Sequence, residues 1–134
     1  MPRVYCFGPV GVTISIMVYF VMVYEVELLP PAVEFLQGIN TKLRAKAART
    51  IELLRQFGPT LPMPHAKKLS GYPLWELRAK QGSNIVRMFY FAIDGTTYIV
   101  TSGFAKKSDR TNRLEIERAM RLRAAVLEGR DEER

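Results

Sequence analysis

In the stretch "LWELRAKQGSNIVRMFYF", Glu76, Arg78 and Lys80 alternate with Trp75, Leu77 and Ala79. Alternate residues of a strand share a face, so the three charged side chains fall on one side and the apolar ones on the other. Arg87 lies past the turn "QGSN", with Phe89 and Phe91 on its own face. A guanidinium among core-like aromatics needs a reason. Its planar fork makes bidentate bonds to phosphate and stays charged, so Arg78 and Arg87, on neighbouring strands, are a candidate phosphate-binding pair if both point to the same face. Arg78 and Lys80 can equally be a solvated strand face. Lys106, Lys107 and Arg110 follow a third strand; they read either as the rim of the same concavity or as an ordinary basic loop.

The overall charge agrees with an anionic partner. The 134 residues carry 20 Lys and Arg against 13 Asp and Glu, a formal +7. Residues 65–123 hold 12 basic and 5 acidic side chains, whereas residues 1–64 give +2 and residues 124–134 give −2, so the basic surface belongs to the second half. Such a balance draws a chain to polyanions. The single cysteine, Cys6, excludes an internal disulfide and a Cys-rich zinc site and fits a reducing, cytoplasmic setting. The single histidine, His65, excludes a histidine acid–base pair and a His-dominated metal centre; in "LPMPHAKKL" it reads as a solvated loop residue.

Length and a hydrophobic content of 48% give one domain with one core. Residues 4–24 contain no charge, enough to span a bilayer at about 20 residues, but Gly8, Pro9 and Gly11 interrupt them and no cleavage-site pattern follows. The expectation is an N-terminal extension over residues 1–21, from a start-site choice upstream of Met17 or Met22, ahead of a domain over residues 22–128 and a charged tail over 129–134. A membrane anchor or an added strand is the other reading.

Residues 24–29 alternate as a first strand, stopped by Pro30 and Pro31, which can open a helix over "PPAVEFLQG". A second helix starts at Asn40 or Thr41, with Leu43, Ala47, Ile51 and Leu54 on one stripe and Lys42, Lys46 and Arg49 facing away. "GPTLPMP" breaks the chain. Strands over residues 74–80, 85–93 and 97–104, joined by "QGSN" and "DGT", make an antiparallel meander. A last helix begins near Asn112, with "NRLE" as a capping box, Ile116, Ala119, Met120 and Val126 or Leu127 as its stripe, Glu117–Arg121 as a pair, and Arg118, Arg121 and Arg123 as a solvated face. The fold expected is α+β: strand, two helices, three strands and a helix, an antiparallel sheet with its helices on one face and the other face free.

With "LWELR", "VRMFYF", and "GFAKK" leading into "EIERA", in this order and spacing, the chain resembles the RelE/HigB-type toxin family, in particular its phage-related HigB-like branch, from about Tyr24 to Val126. The resemblance implies a toxin of a toxin–antitoxin pair that cleaves mRNA on the translating ribosome without a metal or other cofactor. It also implies a cognate antitoxin, often with a helix-turn-helix domain. A membrane is not an expected partner. The loop "KKSDRTNR" departs from the family's usual pattern at that place.

Internal cleavage of RNA requires attack by a 2′-hydroxyl, charge stabilisation at the phosphorane and a proton for the leaving 5′-oxygen. On this reading Arg78 and Arg87 supply the charge. Crowding by other cations depresses a lysine's pKa, which would fit Lys106 or Lys107 for proton transfer. Glu76 is the nearby carboxylate, either a base or the ion-pair partner of Arg78. Lys80 and Arg110 would bind RNA, and Tyr90 and Phe104 would stack on bases, although Tyr90, with Trp75, Phe89 and Phe91, also fits a core role. A ParE-like inhibitor of DNA gyrase and a non-catalytic nucleic-acid-binding domain are the competing functions.

Overall fold

The computed structural model describes residues 2–4, 20–22, 24–106 and 112–132. Lys107 and Arg110 lie outside the described residues, as does most of the uncharged N-terminal segment with the start-site question it raises. Two short strands at its ends, β1 (Pro2–Val4) and β2 (Phe20–Met22), pair antiparallel.

The main sheet is built from β3 (Glu25–Leu28), β4 (Ala66–Lys68), β5 (Trp75–Gln81), β6 (Asn84–Ala92) and β7 (Thr97–Lys106), in the order β3-β7-β6-β5-β4. The β5–β6–β7 meander is antiparallel as expected. Its two turns use glycines at positive φ, Gly82 at 61° and Gly95 at 74°. Asp94 Oδ1 accepts from the amides of Thr96 and Thr97 and closes the second turn. The first strand differs from expectation in direction. β3 runs parallel to β7, Glu25 opposite Thr97, so the sheet is mixed rather than wholly antiparallel. Parallel neighbours need a crossover, which the intervening helices and strands provide. β4, a three-residue edge strand, falls where the sequence reads as loop, and it pairs antiparallel with β5 across the short connection 69–74.

Helices α1 (Pro30–Gly38) and α2 (Thr41–Phe57) begin as their sequences require, with prolines in the first turn of α1 and the Asn40 side chain accepting from Leu43 N–H at 2.9 Å. Arg44 ties the two together: its guanidinium donates to the carbonyls of Leu36, Gln37 and Ile39, which α1 leaves open at its C-terminus. The α1–α2 side of the sheet carries one core, in which Leu43, Ala47 and Leu54 meet Leu77, Val86, Met88, Tyr90 and Val100.

The last helix, α3 (Arg113–Glu132), contributes to a second core. Ile116 and Ala119 pack with Phe89, Phe91, Ile99 and Phe104, residues that alternate with those of the first core along β6 and β7. α1 and α2 thus lie on one face as expected, while α3 covers part of the face expected to be free. Burial on both sides is why β6 reads as a nearly continuous apolar run. Asn112 precedes α3 and its side chain accepts from Leu114 N–H, and the helix continues through Gly129, so the expected tail is partly helical. Its ion pair is Arg113–Glu117 rather than Glu117–Arg121.

β7 departs from regular pairing between Phe89 and Tyr90, where Thr101 is the extra residue and its hydroxyl donates to Phe89 O. Gly103 is required by close approach: a Cβ there would sit 2.5 Å from the Phe35 ring and 3.1 Å from Met88. Gly103→Val is therefore expected to cost about 1–3 kcal/mol through overpacking, read as a lower denaturant midpoint with an unchanged slope.

Candidate functional site

The β5–β6 hairpin brings three of the expected site residues together. Arg78 and Arg87 face each other directly in the ladder, and Glu76 faces Phe89 one diagonal step away. Like charges directly opposite on a sheet repel. Glu76 resolves this: its Oε1 accepts from Arg87 Nη1 at 2.8 Å and lies 3.1 Å from Arg78 Nε in a second ion pair. Of the two outcomes the sequence left open for Glu76, ion pairing is therefore satisfied, with Arg87 as well as Arg78.

Burial separates the two arginines. Arg87 and Glu76 are each 1% exposed. The Arg78 side chain keeps 21% of its surface open. Arg87 is sealed by its ladder neighbours, Phe104 on β7 and Arg78 on β5, and by Phe89 two residues along its own face, which packs on Phe104 with ring centroids 5.5 Å apart. Solvent reaches the cluster through Arg78. Lys80, two residues further along β5, is exposed. Lys106 pairs with Ile85 at the end of β7, two positions beyond Phe104.

Tyr90 is not brought to this group. It lies in the α1–α2 core at 3% exposure, on the opposite face from Arg87, edge-on to Tyr98 and stacked with Trp75. Base stacking there would require opening that core. Phe104, on the Arg87 face, is itself a buried member of the second core. Trp75, expected in the core, is 36% exposed beside Tyr90. Arg123, expected on a solvated face, sits over the Phe91 ring at 5.5 Å and packs α3 to the sheet.

The sequence reading did not anticipate the role of the second helix near this hairpin. Lys46 and Arg49, taken as facing away, line a cleft with Pro64, His65, Arg78, Lys80 and Ile85. Their spacing of three residues on a helix was the signal that both share a side; that the side overlooks the hairpin is a tertiary fact.

Two stability predictions follow from these environments. Glu76→Ala strands two arginines, one fully buried, and is expected to cost about 3–5 kcal/mol in chemical denaturation. Burial first, and then the neighbouring Tyr98, hold the Tyr90 hydroxyl well above its ordinary pKa. A raised folded-state value means the unfolded chain ionises first, so this contribution is intact below about pH 10 and fades as pH rises beyond it. Alkaline unfolding is accordingly expected to be steeper in the wild type than in Tyr90→Phe.

The sequence model of the family described as "Phage derived protein Gp49-like (DUF891)" matches residues 34–124. No curated protein gives a significant match. Among solved structures, the chain is similar to one in the toxin–antitoxin complex RelBE2 from Mycobacterium tuberculosis, at 16% identity and TM-score 0.49, covering 65% of this chain and 95% of that one. It is also similar to Escherichia coli toxin RelE, solved as a mutant in the free state, at 17% identity and TM-score 0.49, covering 61% and 82% respectively. A chain of the intact Escherichia coli RelBE toxin–antitoxin complex gives 19% identity and TM-score 0.47 over 65% and 99%.

Proposed function

Because the chain belongs to the Gp49-like family of RelE/HigB-type toxins, we propose that it acts as the toxin of a toxin–antitoxin pair by cutting mRNA on the translating ribosome, without a metal. The observation that carries the reading is the guanidinium pair clamped by one carboxylate on the β5–β6 hairpin, with one arginine open to solvent. Arg78 contacts the scissile phosphate and stabilises the charge that grows on it when the 2′-hydroxyl attacks. A preorganised cation is worth most at that step. Arg87, sealed beneath Phe104 and Phe89, is a positioning residue: it fixes Glu76, and Glu76 fixes Arg78.

This allots Glu76 a different role from the general base considered for it in the sequence. Its Oε1 is already engaged by Arg78 and Arg87 and its side chain is buried, so it is not presented to a hydroxyl of the RNA. Proton transfer falls instead to Lys106, the last residue of β7, or to Lys107 next to it in sequence, with Lys80 and Arg110 guiding the RNA backbone. Neutralisation by a cognate antitoxin with a helix-turn-helix domain, and action in the cytoplasm, complete the reading.

Arg78→Ala is expected to lower mRNA cleavage in a translating extract by about 100-fold while denaturation stays close to wild type. Ribosome-free transcripts should remain intact with either protein. Inhibition of gyrase supercoiling without cleavage would instead place the chain with ParE-like toxins, and full cleavage by Arg78→Ala would remove the site assignment.

A further inference from the structure

The outer edge of β5 is only partly used. β4 covers it from Trp75 to Leu77, and one further bond, Arg78 N–H donating to His65 O at 2.8 Å, ends the coverage. In an antiparallel ladder the main-chain groups of alternate residues point to the same edge. Lys80, two residues past Arg78, therefore directs its N–H and C=O away from β6, and no strand among the described residues lies there to meet them. Such an edge is a template for another strand. The place that strand would take is open, because α2 and the edge of β5 border a cleft of about 390 Å³. Lys46 and Arg49 on its α2 side are exposed and have no ion-pair partner among the described residues, and Lys80 is exposed on its β5 side. None of the described residues lining it is acidic, and Leu53 and Ala79 give it an apolar floor. The adjoining strand β4 adds Lys67 and Lys68, both exposed.

We propose that this cleft docks an extended acidic segment of a protein partner, which adds to β5 at Lys80 as a strand in line with β4 and sets carboxylates against Lys46 and Arg49. Two observations select this occupant. An open sheet edge is complemented by another peptide backbone, which presents donors and acceptors alternately at the strand repeat, whereas phosphate groups offer acceptors alone. The charge then fixes the composition: unpaired cations with no acid beside them attract a negative segment and repel a basic one. Arg78 is not counted among those cations, since Glu76 holds it. The proposal does not rest on RNA cleavage, because neither α2 cation nor the Lys80 main chain takes part in the chemistry proposed above.

Two NMR signals of the full-length protein report on the cleft: the Lys80 amide, and the imidazole C–H resonances of His65, which lines it and is the only histidine of the chain. The probes are a short peptide alternating Glu and Val, its fully N-methylated counterpart, which keeps the carboxylates but has no main-chain donor, the same peptide with Lys in place of Glu, and a single-stranded oligodeoxynucleotide. The acidic peptide is expected to displace the His65 signals saturably and to slow hydrogen exchange at the Lys80 amide by about 10-fold or more. N-methylation should abolish both effects. The double variant Lys46→Ala/Arg49→Ala, at two exposed positions where alanine favours the helix, should weaken binding by about 10-fold or more. Silence with the acidic peptide, an equal response to its basic or N-methylated form, or undiminished binding by the double variant would overturn the proposal. So would displacement of the His65 signals by the oligonucleotide with the acidic peptide silent, which would assign the cleft to a nucleic acid.

Discussion

One carboxylate between two guanidiniums sets the terms for the rest of the molecule. Without Glu76 the register that pairs Arg78 with Arg87 would press two positive charges together at the centre of a sheet. With it, the register is favoured, because sliding β5 against β6 by one residue would move Glu76 to the other face and leave Arg87 buried among aromatics with no counter-charge. Charge pairing here does what a disulfide or a metal does in other small domains: it specifies one alignment. Its contribution is to uniqueness more than to net stability, since desolvating three ions offsets much of their attraction.

The sheet around this cluster is built to keep water from Arg87. β6 is central and covered on both faces, by α1 and α2 on one side and by α3 with Phe89, Phe91 and Phe104 on the other. The two faces have different duties. The first holds the aliphatic core with a tyrosine cluster of Tyr24, Tyr90 and Tyr98. The second surrounds the arginines with aromatic rings, whose low polarity strengthens each hydrogen bond that Glu76 accepts.

Much of the fold was legible because its signals are local. Alternation marked the strands, Asn40 and the Pro30–Pro31 pair marked the helix starts, and glycine turns marked the hairpins. Arg87 was singled out correctly as an anomaly, and its neighbours on the same face were read correctly too. Whether Arg78 or Arg87 meets solvent was not legible, since alternation assigns faces and not depth. β4, at three residues, is too short to show an alternation, and the parallel direction of β3 and the coverage of the second face by α3 are set by contacts between distant segments. For the same reason Tyr90 read as a base-stacking candidate. It is an aromatic beside cations in the sequence, but across the sheet from them in space.

The parallel pairing of β3 with β7 has a consequence for synthesis. β3 emerges from the ribosome early, yet its partner in the sheet is β7, the last of the described strands to be made. Pairing of such high sequence separation carries a large loop-closure cost and forms late. Until β7 has been released, α1 and α2 have no complete sheet to pack on and the β5–β6 hairpin lacks the strand that buries Arg87. The nascent chain therefore stays incomplete almost to its end, and a prematurely truncated product would lack the enclosure on which the arginine centre depends.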